Sequence, residues 1–263
     1  MRMSKSQIKN MKTVFITGSA SGIGLATAKM FAAKGYVVGL YDINEALVKK
    51  HLKDDLFKDA TGAYCDVTDR ASISAALADF SNHAGERLDV LVNNAGVLSS
   101  DWFSKLKPEQ HDLMIDVNVK GFTHVAQLAY PYLKQTEGST LVNLCSASSI
   151  HGIPFLAVYS ATKFFVNGLS EALSLEWEQD DIRVVAIKPP VLNNRMGDSV
   201  KANLTQKMTV DMSEEDVVHQ IWKSLQGDGL SYPVGLKAKL WFVVDSLLPE
   251  KPRQQLVKYL VSL

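Results

Sequence analysis

The sequence predicts a single α/β domain, built on a doubly wound parallel sheet of about seven strands with helices on both faces. Short, nearly continuous apolar runs rich in β-branched residues alternate with longer segments whose apolar residues recur every three or four positions. Nearly continuous apolar runs of this length are typical of strands that are buried on both faces, as in a parallel sheet. The 263 residues contain no linker-like segment and no repeat, and α/β domains of about 250 residues are common.

Seven segments carry the strand pattern. The predicted strands are residues 13–17, 36–41, 62–65, 88–92, 140–146, 182–188 and 230–234. Helical spacing is clearest at 23–33 and 73–80, between successive strands. Because crossovers between parallel strands are right-handed, this order predicts a sheet whose ligands bind beyond the carboxyl ends of the strands.

The two ends of the chain lie outside this pattern. We expect residues 12–236 to form the domain and residues 1–11 to be a disordered basic extension, since they lack the apolar segment of a secretory signal. Residues 237–263 form a helical extension in which Pro249 and Pro252 interrupt the apolar spacing. Such helices cover a pocket or a subunit interface, or they make shallow contact with a membrane or cap a site for a lipophilic substrate. The pattern leaves these roles open.

Composition excludes several classes of function. Lys plus Arg and Asp plus Glu both number 28, so no net field attracts nucleic acid. No window approaches the ~18 apolar residues of a membrane span. Cys65 and Cys145 match no metal-ligand spacing and suit a reducing compartment. A cytoplasmic protein without a bound metal is therefore expected.

A glycine-rich turn follows the first predicted strand, with the sequence TGSASGIG at 17–24. Glycines let the backbone turn tightly and approach a pyrophosphate closely, and the following helix offers free N–H groups to the anion. A strand–helix turn without a ligand is the alternative. The predicted cofactor contacts in this turn are Gly18, Ser21, Gly22, Ile23 and Gly24.

Asp42 ends the second predicted strand, eighteen residues after Gly24. A carboxylate near this spacing accepts hydrogen bonds from the adenosine ribose. It would also repel a 2′-phosphate, and neither Ser21 nor Ile43 supplies a compensating cation. NAD(H) is therefore predicted over NADP(H). The alternative role of Asp42 is to cap the helix that begins near Asn44.

Tyr159 and Lys163 lie four residues apart on a predicted helix and therefore share one face. A free tyrosine, with a pKa of ~10, is a poor base at neutral pH. A neighbouring cation lowers that pKa towards the working pH, where acid–base catalysis is most effective. A solvated surface pair has the same spacing, so the position of the pair relative to other motifs decides its meaning.

Taken with further motifs in order, the sequence resembles the short-chain dehydrogenase/reductase family, whose fold is of the Rossmann type, over about residues 12–234. Those motifs are TGxxxGxG at 17–24, Asp66-Val67, NNAG at 93–96, Asn118, Ser146 thirteen residues before Tyr159, and Lys188-Pro189. The resemblance implies an oxidoreductase that moves a hydride between NAD(H) and an alcohol or carbonyl substrate, which the apolar tail suggests is lipophilic.

The resemblance also implies individual roles. Ser146 would hold the substrate oxygen and Tyr159 would transfer the proton. Lys163 would bind the nicotinamide ribose and lower the pKa of Tyr159, and Asn118 would hold a water of a proton relay. The further cofactor contacts that it implies are Asp66, Val67, Asn94, Ala95, Gly96, Tyr159, Lys163, Pro189, Val191 and Asn194.

Two positions depart from the family pattern. Pro190 stands where a glycine is usual and removes a backbone donor, and Asn194 stands where a threonine is frequent. On the substrate side, residues 194–211 are expected to form a lid and residues 154–156 to line the pocket. His151, in a loop, is expected to face solvent.

Two alternative functions remain, one enzymatic and one non-enzymatic. A 3-oxoacyl-thioester reductase shares the four catalytic residues but usually uses NADP(H), so Asp42 argues against it. A non-catalytic NAD-binding sensor often lacks the tyrosine or the lysine, and both are present here. The family resemblance implies a homodimer or homotetramer formed through helices at about 108–133 and 157–178, unless the tail blocks one face.

Overall fold

The predicted strands form one sheet in the computed structural model, which describes residues 5–8, 10–201 and 212–261. The strands are β1 (Thr13–Thr17), β2 (Val37–Asp42), β3 (Thr61–Tyr64), β4 (Val90–Asn93), β5 (Thr140–Leu144), β6 (Arg183–Lys188) and β7 (Ser231–Pro233). They pair in the order β3-β2-β1-β4-β5-β6-β7, and every pair is parallel. The prediction of a seven-stranded, doubly wound parallel sheet is confirmed.

Helices connect the strands and cover both faces of the sheet. They are α1 (Lys5–Ile8), α2 (Gly22–Ala33), α3 (Glu45–His51), α4 (Arg70–Ala84), α5 (Pro108–Ile115), α6 (Phe122–Lys134), α7 (Ala157–Glu176), α8 (Arg195–Lys201), α9 (Glu214–Ser224), α10 (Leu236–Leu247) and α11 (Glu250–Val261). A π-helical segment, Asp116–Gly121, joins α5 to α6. The single helix expected at 108–133 is therefore interrupted at the position of Asn118.

Two apolar layers hold the helices against the sheet. Successive strand residues point to opposite faces, so Val14 and Ile16 pack in one layer with Phe31 of α2 and Ile221 of α9. Phe15 faces the other layer, which contains residues of α4 and α6. Strands buried on both faces explain why their sequence is apolar without alternation.

The fifth strand ends two residues earlier than predicted. The backbone N–H of Cys145 donates to the carbonyl of Ile187, and the N–H of Ala147 donates to the carbonyl of Pro189. Ser146 then caps a short 3-10 turn, Ala147–Ser149. The chain thus leaves the sheet at Leu144, and the turn that follows presents the Ser146 side chain at the carboxyl edge.

The two extensions differ in detail from what the sequence indicates. Lys5–Ile8 forms a helical turn with Ile8 buried, which differs from the disorder expected for residues 1–11, because burial of Ile8 holds the turn against the domain. In the tail, Pro249 separates α10 from α11. Pro252 does not interrupt α11, because it lies in the first turn, where its missing N–H leaves no helical hydrogen bond unmade.

Within the described ranges, no helix is both long and apolar enough to cross a bilayer. The exposed face of α10 nevertheless carries large apolar side chains, namely Leu236, Leu240, Val243 and Leu247. In the predicted lid, residues 194–201 contain α8, and residues 202–211 lie outside the described residues.

Candidate active site

The glycine turn forms an open cradle between β1 and α2. Gly18 and Gly22 have φ values of +65° and +54°, a region that side chains rarely adopt. A Cβ atom at Gly24 would collide with the carbonyl oxygen of Gly18, whereas no heavy atom lies within 4 Å of the Cβ position at Gly22. The Ser21 side chain makes no cap hydrogen bond to α2. An uncapped helix N-terminus beside open space fits a pyrophosphate.

Asn94 and Thr17 hold this cradle in place. Asn94 Nδ2 donates to the carbonyl oxygens of Thr17 and Gly18, at 2.9 and 3.0 Å. The Thr17 hydroxyl accepts from the backbone N–H groups of Asn94 and Ala95, both at 3.0 Å. Both amide hydrogens of Asn94 are therefore already used, so this predicted cofactor contact acts first as a support for the turn.

Asp42 lies at the end of β2, beside the cradle. Its Oδ2 accepts from the N–H of Ala20 at 2.9 Å, and its Oδ1 accepts from the N–H of Asn44 at 2.8 Å. The cap of α3 is Asn44, whose Oδ1 accepts from Leu47 N, so Asp42 does not fill the alternative role of helix cap. The ring of His51 approaches the carbonyl of Ala20 at 3.0 Å, a contact that no sequence motif indicated.

The Asp66-Val67 pair follows β3, the neighbour of β2, at the same edge of the sheet. Asp66 Oδ1 accepts from the N–H and the hydroxyl of Thr68, at 2.9 and 2.7 Å. Val67 is buried, and a Cβ at Gly121 would lie 2.9 Å from its Cγ2 atom. The backbone N–H of Cys65, the preceding residue, donates to the carbonyl of Asp42 at 3.0 Å, so the pair begins near Asp42, where the sequence predicts the adenosine.

The predicted catalytic side chains converge from β5 and α7. Ser146 is hydrogen-bonded to the Tyr159 phenol, and its Oγ accepts from the N–H and hydroxyl of Ser148, at 3.2 and 2.9 Å. Lys163 Nζ donates to the carbonyl of Leu144 at 2.8 Å and lies 5.7 Å from the centre of the Tyr159 ring. Ser146, which is half-buried, is thus linked to the buried Tyr159 by a hydrogen bond, and the buried Lys163 lies beside the tyrosine ring.

Burial shifts the pKa values of both titratable members towards their neutral forms. It raises the pKa of Tyr159 to about 12, and the hydrogen bond from Ser146 opposes this rise. It lowers the pKa of Lys163 to about 8. The sequence led us to expect that Lys163 lowers the pKa of the phenol. In the protein alone, desolvation outweighs any such effect, so the phenol keeps its proton.

Asn118 fixes the segment that follows β4. Its Oδ1 accepts from the N–H of Val97 at 2.9 Å, and its Nδ2 donates to the carbonyl of Val97 at 2.8 Å and to the Thr162 hydroxyl at 3.2 Å. A Cβ at Gly96 would lie 3.8 Å from Lys163 Nζ. Ala95 and Gly96 thus run between the glycine cradle and Lys163; their predicted contact with the cofactor stays a prediction.

The segment after β6 lies on the other side of the catalytic group. The carbonyl of Pro189 accepts from Ala147 N at 2.8 Å, and Val191 packs against the apolar cluster that contains Tyr159. Asn194 Oδ1 accepts from Gly197 N at 2.9 Å, so its side chain caps the start of α8. The described residues contain no group of three or more potential metal ligands.

His151, expected to face solvent, is instead partly buried against the C-terminal extension. Its Nδ1 lies 3.1 Å from Asp245 Oδ1, and its ring meets the Trp241 ring edge-on at 6.2 Å. Sequence reasoning missed this contact because the two residues are 94 positions apart, and no local pattern links them.

Comparison with known proteins places the chain in a family. The model of the short chain dehydrogenase family matches residues 12–205. A 3alpha-hydroxysteroid dehydrogenase from Mediterraneibacter gnavus is 34% identical over 193 residues, covering 72% of this chain and 76% of that protein. A 3-oxoacyl-(acyl-carrier-protein) reductase from Thermotoga maritima is 34% identical over 236 residues, covering 85% of this chain and 94% of the relative.

A solved structure gives the same result at the level of the fold. The crystal structure of a 3-ketoacyl-(acyl-carrier-protein) reductase from Brucella melitensis, complexed with NADH, superposes with a TM-score of 0.76 at 25% identity. The match covers 86% of this chain and 97% of the Brucella chain. The chain therefore belongs to the short-chain dehydrogenase/reductase family of oxidoreductases.

Proposed function

We propose that the protein transfers a hydride between NAD(H) and the alcohol or carbonyl group of a lipophilic small molecule. The observation that carries this proposal is the arrangement of Ser146, Tyr159 and Lys163 beside an open glycine cradle. Ser146 is hydrogen-bonded to the Tyr159 phenol, and the buried Lys163 ammonium lies 5.7 Å from the centre of the Tyr159 ring. A hydroxyl that can hold the substrate oxygen, a proton-transferring phenol and an ammonium, placed together next to a nucleotide site, form a catalytic set for hydride transfer. Asn118 completes it by fixing the intervening backbone.

The chain's own residues would manage the proton. Ser146 holds the substrate oxygen near the Tyr159 phenol, and in the oxidation direction the phenolate accepts the hydroxyl proton. Lys163 stabilises that phenolate and binds the nicotinamide ribose. Asn118 Oδ1 has a second lone pair beyond its bond to Val97, through which it holds a water of the proton relay. When bound, the nicotinamide accepts or supplies the hydride.

The cofactor preference rests on Asp42. Its carboxylate lies beside the glycine cradle, where a ribose hydroxyl would donate to it and a 2′-phosphate would be repelled. The proposed cofactor contacts are the residues named from the sequence: Gly18, Ser21, Gly22, Ile23, Gly24, Asp42, Asp66, Val67, Asn94, Ala95, Gly96, Tyr159, Lys163, Pro189, Val191 and Asn194.

The surroundings of Tyr159 favour a lipophilic substrate. The phenol belongs to a cluster of buried apolar side chains together with Met114, Ile153, Leu156 and Val200. An apolar surface of this kind binds hydrocarbon and leaves a charged substrate without partners. The hydroxysteroid dehydrogenase among the relatives acts on a substrate of the same class, according to its name.

A second candidate is reduction of a 3-oxoacyl thioester. The Thermotoga relative carries that activity in its name, with most of this chain covered. The Brucella reductase is described as complexed with NADH, so a preference for NAD(H) here would not by itself exclude this reaction. Only a direct comparison of substrates separates the two candidates.

We further infer that the protein forms a homodimer or homotetramer through α5 and α7. Apolar side chains of these helices are exposed, namely Leu113, Ile115, Phe164, Phe165 and Leu175. Burying such a surface between copies is favourable. Light scattering on the purified protein should give a mass of two or four chains, and a monomer at micromolar concentration would contradict the inference.

Replacement of the proposed proton-transfer group should abolish turnover but not binding. In Tyr159→Phe we expect kcat for NAD⁺-linked oxidation of apolar secondary alcohols to fall about a thousandfold, since acid–base catalysis contributes on that scale. The Kd for NADH should stay within about twofold of wild type, because the ring remains. Tyr132→Phe on α6 is the matched control.

Turnover assays on the wild type decide between the two candidate functions, alcohol oxidation and thioester reduction. The proposal requires wild type to oxidise apolar secondary alcohols more efficiently than it reduces acetoacetyl-coenzyme A with NADH. The reverse order would establish the thioester reductase. NADH binding without turnover of either substrate would indicate the non-catalytic sensor.

Removal of the Asp42 charge should relax the choice of cofactor. In Asp42→Asn the amide oxygen can still accept from Ala20 N, while the repulsion of a 2′-phosphate is lost. The ratio of the NADPH and NADH dissociation constants should therefore fall at least about tenfold. Fluorescence titration of both nucleotides measures it, and Asp54→Asn, at an exposed helix cap, is the control. Wild-type preference for NADPH would overturn the assignment.

A further inference from the structure

The C-terminal helices pack on the loop that follows Ser146. His151 lies five residues after Ser146, and its Nδ1 is 3.1 Å from the carboxylate of Asp245 on α10. Arg253 on α11 approaches the same carboxylate from the other side, with Nη1 3.3 Å from Asp245 Oδ2 and 3.3 Å from the Asp245 carbonyl. One buried carboxylate thus joins the loop to both helices.

Because the Asp245 carboxylate is buried, its contacts with His151 and Arg253 matter for the attachment of the loop. Asp245 is only 7% exposed, and a carboxylate withdrawn from water requires partners for its charge. His151 and Arg253 are the partners that the described residues provide. Removing the carboxylate would therefore release the loop from α10 and leave the Arg253 guanidinium without its acceptor.

A second contact holds α10 at the end of β6. The Nζ atom of Lys188 lies 4.9 Å from the centre of the Phe242 ring, and Lys188 is buried. A cation over an aromatic face is attracted to it, most strongly where water is excluded. The helix is thereby attached to the strand that carries Pro189 into the site.

The last turn of α11 packs in the apolar cluster that contains Tyr159. Val261 is buried in the same cluster as Tyr159, together with Ile153 and Leu156 of the loop and Val200 of α8. The family model ends at residue 205, well before α10 and α11. The extension thus adds an apolar surface to the site that the matched family region does not supply.

We propose that α10 and α11 form the outer wall of the substrate pocket, with Asp245 as the positioning residue that attaches this wall to the loop 147–156. Val261 is the specificity-determining residue at the end of the wall, and the ligand it admits is an uncharged, apolar alcohol or ketone. This inference rests on the proposed oxidoreductase function for its substrate, but the attachment itself does not depend on catalysis.

The first test separates substrate binding from cofactor binding. In Asp245→Ala the KM for an apolar secondary alcohol should rise about tenfold, because the loop loses its buried charge partner. The Kd for NADH should change by less than about twofold, since none of the hydrogen bonds described for the cradle involves α10. Asp245→Asn, which keeps an acceptor for His151, should be intermediate and serves if the alanine variant does not fold. Ser246→Ala, the exposed neighbour on α10, is the control.

A second measurement does not require activity. Hydrogen–deuterium exchange of the segment 147–156 should be faster in Asp245→Ala and in His151→Ala than in wild type, and unchanged in Ser246→Ala.

A third measurement compares substrates of different size. Val261→Phe should raise the KM of bulky alcohols more than that of small alcohols, whereas Leu247→Ala, on the exposed face of α10, should change neither KM.

The outcomes are distinguishable. If wild type turns over no alcohol or ketone, the proposed function fails, and the exchange experiment still decides whether Asp245 attaches the loop. If wild type is active but Asp245→Ala changes neither the alcohol KM nor the exchange of 147–156, the attachment is wrong. If Val261→Phe affects all alcohols equally, Val261 does not determine specificity.

Discussion

The site depends on the position of four residues after β4, Asn94 to Val97. At one end, the Thr17 hydroxyl and the Asn94 amide fix this segment to the glycine turn; at the other, Asn118 fixes it to the helix that carries Tyr159 and Lys163. Gly96 lies between them, where a Cβ atom would be 3.3 Å from Asn118 Oδ1 and 3.8 Å from Lys163 Nζ. The glycine turn and the helix that carries Tyr159 and Lys163 are therefore linked through buried amide hydrogen bonds, which are costly to break.

Burial of Tyr159 and Lys163 favours the neutral forms of both side chains. The pKa of Tyr159 is raised and that of Lys163 is lowered, both because desolvation penalises the charged form. The protein alone therefore disfavours the phenolate–ammonium pair that proton transfer requires. In our account, the positive charge of an oxidised nicotinamide supplies the missing stabilisation, so that the base forms only in the complex with cofactor. This coupling would keep a reactive phenolate out of the free protein.

The sequence predicted most of the fold and much of the arrangement of the site, because both depend on local patterns. Apolar strands, glycines that need positive φ, and a Tyr–Lys pair one helical turn apart are recognisable from neighbouring residues alone. The π-helical segment around Asn118, the Asp42–Ala20 bond and the His151–Asp245 contact were not predicted. Each depends on how distant segments meet, and a loop histidine or a helix aspartate has no sequence pattern that reveals its partner. The pKa of Tyr159 was misjudged for the same reason, since its burial is a tertiary property.

The central claim, that Tyr159 becomes a base only when the oxidised cofactor is present, is open to a direct measurement. Tyrosinate absorbance can be followed as pH rises, with and without saturating NAD⁺, in wild type and in Tyr159→Phe. The account predicts one additional tyrosinate in the wild-type complex with NAD⁺ below pH ~10, absent from free wild type and from the variant. If the tyrosines of wild type ionise at the same pH with and without NAD⁺, although NAD⁺ binds, the coupling between cofactor charge and the phenol is contradicted.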